Sequence, residues 1–480
     1  MSIPKLALAC ALLACTFIPV LAQTQQWGPV IDCAPEGAGA LRPRVAVNAD
    51  GDAVVLWARS TSLGCFVSVG SDAGFGPAVR LNPVDLDLAA ADWQGPAIAA
   101  SGDTVMAVFK ALPEETAPCY LVRSVDGGNT WGDTLRVDPY DGLVSRFPSV
   151  SSATGGAAVV QYMQFTQGYE EPRQVVRAMM GGSFMPVAPV SAPFAPGEVC
   201  DCCTGEVVSD GDRAVALYRN AGGNLRTIWG AASSNGGMTF PTGTELDATD
   251  WFYNQCPSSG PDGYIAGDSI RYVWMSGEEN GTKVFMGSAD AGTLATGVRG
   301  NVHAGQPAAL QQNFPRIAGR GDTLGIVWEQ LSAGQREILF AHSVSGIVGL
   351  SAPDTVNTDL AGAQKTPDIA YADGAFHIVW SEPVTGQVRY RRAELVEDTG
   401  IDAAVPEEPM RLRYDAVDGH LYITGIALRS VQLLDAAGRT SRTVVGTGNA
   451  IPVGELAPGG YLVRVVDVEG AVRAGRFVRE

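Results

Sequence analysis

The sequence predicts an all-β protein: a β-propeller followed by a small C-terminal β-sandwich. Three observations carry this. Aromatic residues close short apolar runs at Trp57, Phe109, Tyr162, Tyr218, Trp274, Trp328 and Trp380, recurring every 52 to 56 residues. Six residues before each stands a turn former: Gly51, Asp103, Gly156, Asp212, Asp268, Asp322 and Gly374. Gly (58) and Pro (29) are plentiful among 480 residues, and helical periodicity is scarce, which favours many short strands and turns. A repeat of about 50 residues holding four strands is the signature of a propeller blade.

In six of the seven units a proline opens the first strand: Pro43, Pro96, Pro148, Pro257, Pro315 and Pro367. Pro315-Arg316-Ile317-Ala318 and Thr323-Leu324-Gly325-Ile326-Val327-Trp328 read as strands paired about a turn. Seven units are counted across 23–395. The last, from Thr366 to about Leu395, supplies only three strands. Trp27-Gly28-Pro29-Val30-Ile31 matches Phe75-Gly76-Pro77-Ala78-Val79 and is predicted as the missing fourth. An N-terminal strand in the last unit ties the ring shut and removes its free edges.

The ends read differently. Residues 1–22 carry Lys5, an apolar run and Val20-Leu21-Ala22, the layout of a signal peptide; Leu12-Leu13-Ala14-Cys15 offers a lipobox as the alternative. No later stretch is long and apolar enough to span a membrane. Residues 396–409 form an acidic, proline-bearing linker. Beyond it Leu421–Ile423, Val431–Asp435, Gly460–Val466 and Ala474–Val478 alternate as strands of a small sandwich over 410–480. The net charge of −18 argues against nucleic acid as partner, since a phosphate backbone would be repelled. Export would allow the cysteines to oxidise.

Ser124-Val125-Asp126-Gly127-Gly128-Asn129-Thr130-Trp131 reads S-x-D-G-G-x-T-W. Its glycines permit a tight turn, Ser124 and Asp126 tie it, and Trp131 folds back as an apolar plug. Ser233-Ser234-Asn235-Gly236-Gly237-Met238-Thr239-Phe240 is a near copy, with echoes at Asp290 and Asp72. These hairpins resemble the Asp-box of sialidase-like propellers. That family has six blades, so a count of seven marks a relative rather than a sialidase proper. Asp435-Ala436-Ala437-Gly438-Arg439, Leu456-Ala457-Pro458-Gly459-Gly460-Tyr461 and Arg476-Phe477-Val478-Arg479 resemble the type A sorting domain of the type IX secretion system of Bacteroidetes-type bacteria. The resemblance covers about the last 70 residues, the usual size of such a module. It implies passage through the periplasm to the surface or medium, with the secretion machinery as partner of 410–480.

Asp-box hairpins mark one propeller face, and the loops of the other face form the expected ligand mouth. That face offers Arg44, Arg146 and Arg316, and the acids Asp92 and Glu329. The sialidase resemblance implies three arginines on a substrate carboxylate, a Tyr–Glu nucleophile and an Asp acid/base. Tyr253 with Glu206 or Glu329 is the candidate pair. Forked guanidinium groups suit a carboxylate, yet equally pair with neighbouring acids. The spacing selects no catalytic set.

Cys200-Asp201-Cys202-Cys203 and Cys256 fall at equivalent places in the fourth and fifth units and are expected together, and oxidised, on the mouth face. Four cysteines allow three pairings. A structural staple, a ligand platform and a thiolate metal site remain open, though C-x-C-C suits zinc poorly. The four histidines lack metal-ligand spacing, and no nucleotide or phosphate motif is present, so no cofactor and no metal are expected. The sequence therefore predicts an exported propeller that engages glycans by binding or glycoside cleavage. The alternative is a non-catalytic adhesion or scaffold module that binds a surface protein.

Overall fold

The structure, a computed structural model, describes residues 23–397 and 410–479, apart from 61–62, 195–196, 333, 360–361, 436–438, 446–447 and 469–471. The expected signal peptide, nearly all of the linker and the middle of the Asp435–Arg439 motif lie outside the described residues. The chain divides into a unit ending at Glu397 and a unit comprising the C-terminal residues.

Seven antiparallel sheets occupy the described part of 23–397. Their first strands are Ala40–Val47, Ala97–Ser101, Val144–Ala153, Glu206–Asp210, Asp262–Ala266, Gln311–Arg320 and Lys365–Ala372. We number the sheets one to seven in that order. Each first strand touches those of its two neighbours, and the seventh touches the first, so the sheets close a ring. This is a β-propeller. The seventh sheet takes its outer strand from the N-terminus: Gln23–Trp27 pairs with Gln387–Glu397, Trp27 facing Ala393, and Ile31–Asp32 pairs with the same strand. The closing strand thus starts four residues earlier than predicted and breaks at 28–30, and its partner runs to Glu397 rather than 395.

The recurring aromatics explain why the sheets stack. All seven end up on second strands and are at most 1% exposed. Each lies in the apolar cluster shared with the preceding sheet. Trp274 sits among Val215 and Leu217 of sheet four, Trp328 beside Val273 of sheet five, and Trp57 against Val379 of sheet seven. Large rings of this kind bury 150–250 Å² each, so one per interface supplies much of the apolar contact.

Four of the seven first strands share a kink. Arg42, Phe147, Phe314 and Thr366 have φ of 45°, 55°, 48° and 48°, and each is followed by proline. The ladder slips there, between Leu41 and Arg44, Arg146 and Ser149, Asn313 and Arg316, and Lys365 and Asp368. Proline lacks the N–H that the ladder would use, and a bulge of this type bends the strand and re-aims the next side chain. Sheet five begins at Asp262, so its proline is Pro261; Pro257 lies in the loop before it.

The Ser124 and Ser233 hairpins join third to fourth strands of sheets two and four. Ser124 Oγ accepts Gly128 N–H at 2.9 Å, Asp126 Oδ1 accepts Thr130 N–H at 2.8 Å, and Trp131 Nε1 donates to Gly128 O at 2.9 Å. In the second hairpin Ser233 Oγ accepts Gly237 N–H at 3.0 Å and Asn235 Oδ1 accepts Thr239 N–H at 3.0 Å, with Phe240 buried. Gly128 has φ 95° and lies against Val54, where a Cβ would approach within 3.1 Å. Glycine is therefore required twice over, for backbone and for packing.

The C-terminal unit is a sandwich. Arg411–Asp415, His420–Thr424 and Ala450–Pro452 form one sheet; Thr440–Val445, Leu428–Leu434, Gly459–Asp467 and Val472–Arg479 form the other. Leu421, Ile423, Val431, Leu433, Val463, Val465 and Phe477 fill the space between them. Arg411–Asp415, Thr440–Val445 and Ala450–Pro452 escaped the sequence reading because their few apolar residues give little alternation. No helix among the described residues is long and apolar enough to cross a membrane.

Candidate functional site on the loop face

The re-aimed residues meet at the propeller axis. The first-strand position that pairs with the residue just before the recurring aromatic is Arg44, Ala97, Ser149, Glu206, Asp262, Arg316 or Asp368, one per sheet. Arg316 Nε donates to Asp368 at 2.7 Å and its Nη1 to Glu206 at 2.9 Å, with Asp262 at 3.4 Å. These contacts join sheets four, five, six and seven, which only the axis allows. Burial works against the Arg316 charge, but Asp262, Asp368 and Glu206 outweigh it and hold the guanidinium above its ordinary range. Asp262 is pushed up to about 7 by burial, against the pull of Arg316. Two of these acids also latch sheets together: Asp262 accepts Ile317 N–H at 2.7 Å and Asp368 accepts Val45 N–H at 2.9 Å.

Arg42 and Arg44 complete the axial group. Burial drives both below the ordinary guanidinium range, and for Arg42 the neighbouring Arg44 adds to it. Arg44 Nη1 donates to Pro43 O at 2.7 Å and Arg42 Nη1 to Asp92 O at 3.2 Å. The space that Arg42, Arg44, Arg316, Asp92 and Thr366 enclose is about 20 Å³. That admits one water-sized group and not a sugar ring. The predicted acids are similarly engaged. Asp92 Oδ2 takes Lys365 Nζ at 2.5 Å, drawing the loop before sheet two across to sheet seven. Glu329 is buried, pushed up by burial, ion-paired with Arg336, and accepts Thr366 N–H at 3.2 Å. Tyr253 stacks on Trp251 at 4.8 Å and its hydroxyl donates to Gln255 at 3.2 Å, rather than to Glu206 or Glu329.

Arg146 stands apart from Arg44 and Arg316. It lines an open pocket of about 390 Å³ with Leu112, Pro113, Glu114, Glu115 and Tyr169. Its guanidinium pairs with Glu114 and lies 4.4 Å from the Phe147 ring centroid and 5.1 Å from that of Tyr169. Gln94 locks the pair, donating to Glu114 at 2.9 Å while accepting from Arg146 at 3.4 Å. The Tyr169 hydroxyl is pushed up to about 12 by burial and by its hydrogen bond to Glu115. Tyr169 and Glu171 hold φ of 64° and 50°, a left-handed conformation that costs non-glycine residues energy and recurs at functional sites. Trp93, next to Gln94, is 41% exposed. The sequence singled out Arg146 but not Tyr169 or Gln94. Tyr169 lies in the turn between the second and third strands of sheet three, and Gln94 in the loop before sheet two; neither carries a motif that marks it in the sequence.

The cysteines gather on the same face, between sheets four and five. Cys202 and Cys256 form a disulfide with Cα atoms 6.2 Å apart, while Cys200 and Cys203 are buried thiols. The four cysteines thus lie in one group, with one pair bonded and two thiols beside it. Cys200 Sγ lies 3.0 Å from Cys203 Sγ and 3.5 Å from Cys202 Sγ. Arg219 is buried nearby and, among the described residues, donates to the carbonyls of Ser259 (3.1 Å), Arg226 (2.9 Å) and Met275 (2.7 Å). Arg226 Nε in turn holds the Cys256 loop through Tyr253 O at 2.8 Å. Cys203 as donor, then Arg219 and Arg226 as charges, bring the Cys200 thiol down to about 7, against the effect of burial; burial sends Cys203 the other way. With Cys202 in the disulfide only two thiols remain, too few for a tetrahedral thiolate zinc site. Cys33, Cys65 and Cys119 are separate buried thiols.

No protein-family model matches the chain, and no curated protein does. Among solved structures it is similar to a protein of unknown function from Dyadobacter fermentans, at 12% identity and TM-score 0.43, covering 78% of this chain and 99% of that one. It is also similar to the sialidase of Trypanosoma rangeli in complex with the inhibitor DANA, at 11% identity and TM-score 0.44, over 95% of this chain and 89% of that one. A third is the GH93 α-L-arabinofuranosidase of Fusarium graminearum in complex with arabinobiose, at 11% identity and TM-score 0.42, over 78% and 99%. These are likenesses of architecture, and no substrate follows from them.

Proposed function

We propose that this propeller binds glycans on its loop face, in the pocket of Arg146, Glu114, Glu115 and Tyr169. The observation that carries the reading is that pocket's make-up. A charge locked against two aromatic rings, beside an exposed carboxylate and a tyrosine hydroxyl, offers both a flat face for sugar C–H groups and acceptors for sugar hydroxyls. Binding is favoured over hydrolysis because the other mouth-side acids are spent on partners: Glu206, Asp262 and Asp368 on Arg316, Asp92 on Lys365, Glu329 on Arg336. A glycan array run beside a panel of chromogenic glycosides tests it. Wild type is expected to bind a glycan class without releasing chromophore, and Glu115→Gln with Tyr169→Phe to lose at least tenfold in affinity while melting normally. Turnover that survives both substitutions, or binding unaffected by them, would refute the assignment.

We also propose that the Ser124 and Ser233 hairpins are Asp-boxes and that 410–480 is a type IX sorting module, both on their residue motifs. Removing 410–480 should leave folded propeller in the periplasm of a type IX-competent host. Normal amounts of the truncated chain at the surface or in the medium would end the secretion reading.

A further inference from the structure

We propose that Cys200, Cys202, Cys203 and Cys256 form a thiol–disulfide exchange relay, in which a disulfide passes between the solvent-facing pair Cys202–Cys256 and the buried pair Cys200–Cys203. The carbohydrate reading does not use these sulfurs, and the relay stands or falls without it.

The placement of the sulfurs supplies the steps. Cys200 Sγ lies within 3.5 Å of Cys202 Sγ, one end of the existing disulfide, and within 3.0 Å of Cys203 Sγ. Cys256, the other end of the disulfide, is exposed. In the first step the Cys200 thiolate attacks Cys202 Sγ. The Cys200–Cys202 bond forms, the Cys202–Cys256 bond breaks, and Cys256 leaves as a thiolate into solvent, where it takes up the proton that Cys200 gave up. In the second step Cys203 loses its proton and attacks Cys200 Sγ. The Cys200–Cys203 bond forms and Cys202 departs with the bonding pair, then takes a proton. One disulfide and two thiols enter, and one disulfide and two thiols leave, so no outside oxidant is consumed. Thiol–disulfide exchange runs through mixed disulfides in this way.

The surroundings favour Cys200 as the attacking group. The buried Arg219 is held by three carbonyls and is ion-paired with no carboxylate among the described residues. Its charge acts on the Asp247 carboxylate and on the Cys200 thiol, which the Cys203 hydrogen bond first and then Arg219 bring down to about 7. An attacking thiol whose pKa is near the ambient pH is the most effective kind. Cys203 N–H reaches Cys200 O at 3.3 Å, so a tight turn holds the second pair in register. The exposed end gives the relay an external substrate class: a dithiol, which reduces Cys202–Cys256, or a disulfide, which reoxidises it.

The test uses the whole chain. Thiol counting first establishes that the four cysteines hold one disulfide and two thiols, with limited phosphine used to reach that state where they start with two disulfides. The protein is held at neutral pH and sampled over time; each sample is acid-quenched and alkylated, and its non-reduced peptides are mapped by mass spectrometry. Wild type should show Cys202–Cys256 and Cys200–Cys203 linkages together, with alkylation appearing on Cys256. Cys200→Ser should keep Cys202–Cys256 intact and slow Cys256 alkylation at least tenfold. Cys203→Ser should accumulate the Cys200–Cys202 linkage with Cys256 free. In wild type alone, Cys256 alkylation extrapolated to saturating reagent should rise with pH through about 7, which keeps the test valid should a variant misfold. A wild type that always holds Cys202–Cys256 with Cys200 and Cys203 alkylated, or Cys256 alkylated as fast in Cys200→Ser, would overturn the relay.

Discussion

Two sets of positions recur once per sheet, and they obey different rules. The second-strand set is Trp57, Phe109, Tyr162, Tyr218, Trp274, Trp328 and Trp380, always aromatic and always buried against the preceding sheet. The first-strand set that pairs just before the aromatics is Arg44, Ala97, Ser149, Glu206, Asp262, Arg316 and Asp368, which mixes both charges with small residues. Each aromatic meets the same environment, a gap between two sheets, so the same solution serves seven times. Each axial residue faces the other sheets' axial residues, so only the balance of the group is constrained. Arg316 meets three carboxylates at once, and no property of its own sheet requires that. Repetition in a propeller therefore fixes side-chain type where neighbours repeat, and frees it where they converge.

Breaking the apolar set should have the larger effect. Trp328→Ala is expected to cost about 3–5 kcal/mol in urea unfolding, from lost burial and the cavity left between sheets five and six. Trp328 Nε1 has no hydrogen-bond partner among the described residues, so Trp328→Phe should cost markedly less. A loss under about 1 kcal/mol for the alanine variant would show that the aromatic is not what holds the sheets.

The axial set should instead reveal itself through pH. Asp262 has a folded pKa raised from 3.8 to about 7. Its contribution is thus fully present below about pH 4 and is lost as pH rises through 7, on the order of 4 kcal/mol for a shift of this size. Asp262→Asn can still accept Ile317 N–H and leaves Arg316 with Glu206 and Asp368. The variant should match wild type near pH 4 and gain on it steadily towards pH 8 in thermal unfolding. Parallel curves for the two proteins would mean that Asp262 does not titrate in this range.

Parts of the candidate site were legible before the structure, for a physical reason. Arg44, Arg146 and Arg316 were visible because each lies beside a strand-opening proline, but that shared neighbour concealed their separation. Arg146 precedes its kink and turns to the rim, whereas Arg44 and Arg316 follow theirs and turn to the axis. Asp92 and Glu329 were visible as acids; their partners Lys365 and Arg336 were not, since the Asp92 pair spans 273 residues. Tyr169 lies in a short turn whose left-handed backbone leaves no compositional mark, because neither Tyr169 nor Glu171 is a glycine.

By itself the sequence determined what depends on local chemistry and on period. The β character, the repeat, the hairpins tied by Ser124 and Ser233, the N-terminal strand in the last sheet and a separate C-terminal sandwich all follow from which residues recur and how far apart. Tertiary structure alone decided what depends on closure of the ring. It chose which guanidinium meets which carboxylate, that Cys202 rather than Cys203 takes Cys256, and that the axis is filled while the Arg146 pocket stays open. The reason is that a periodic pattern specifies each sheet against its neighbours, while contacts across the axis and between loops arise only once every sheet is in place.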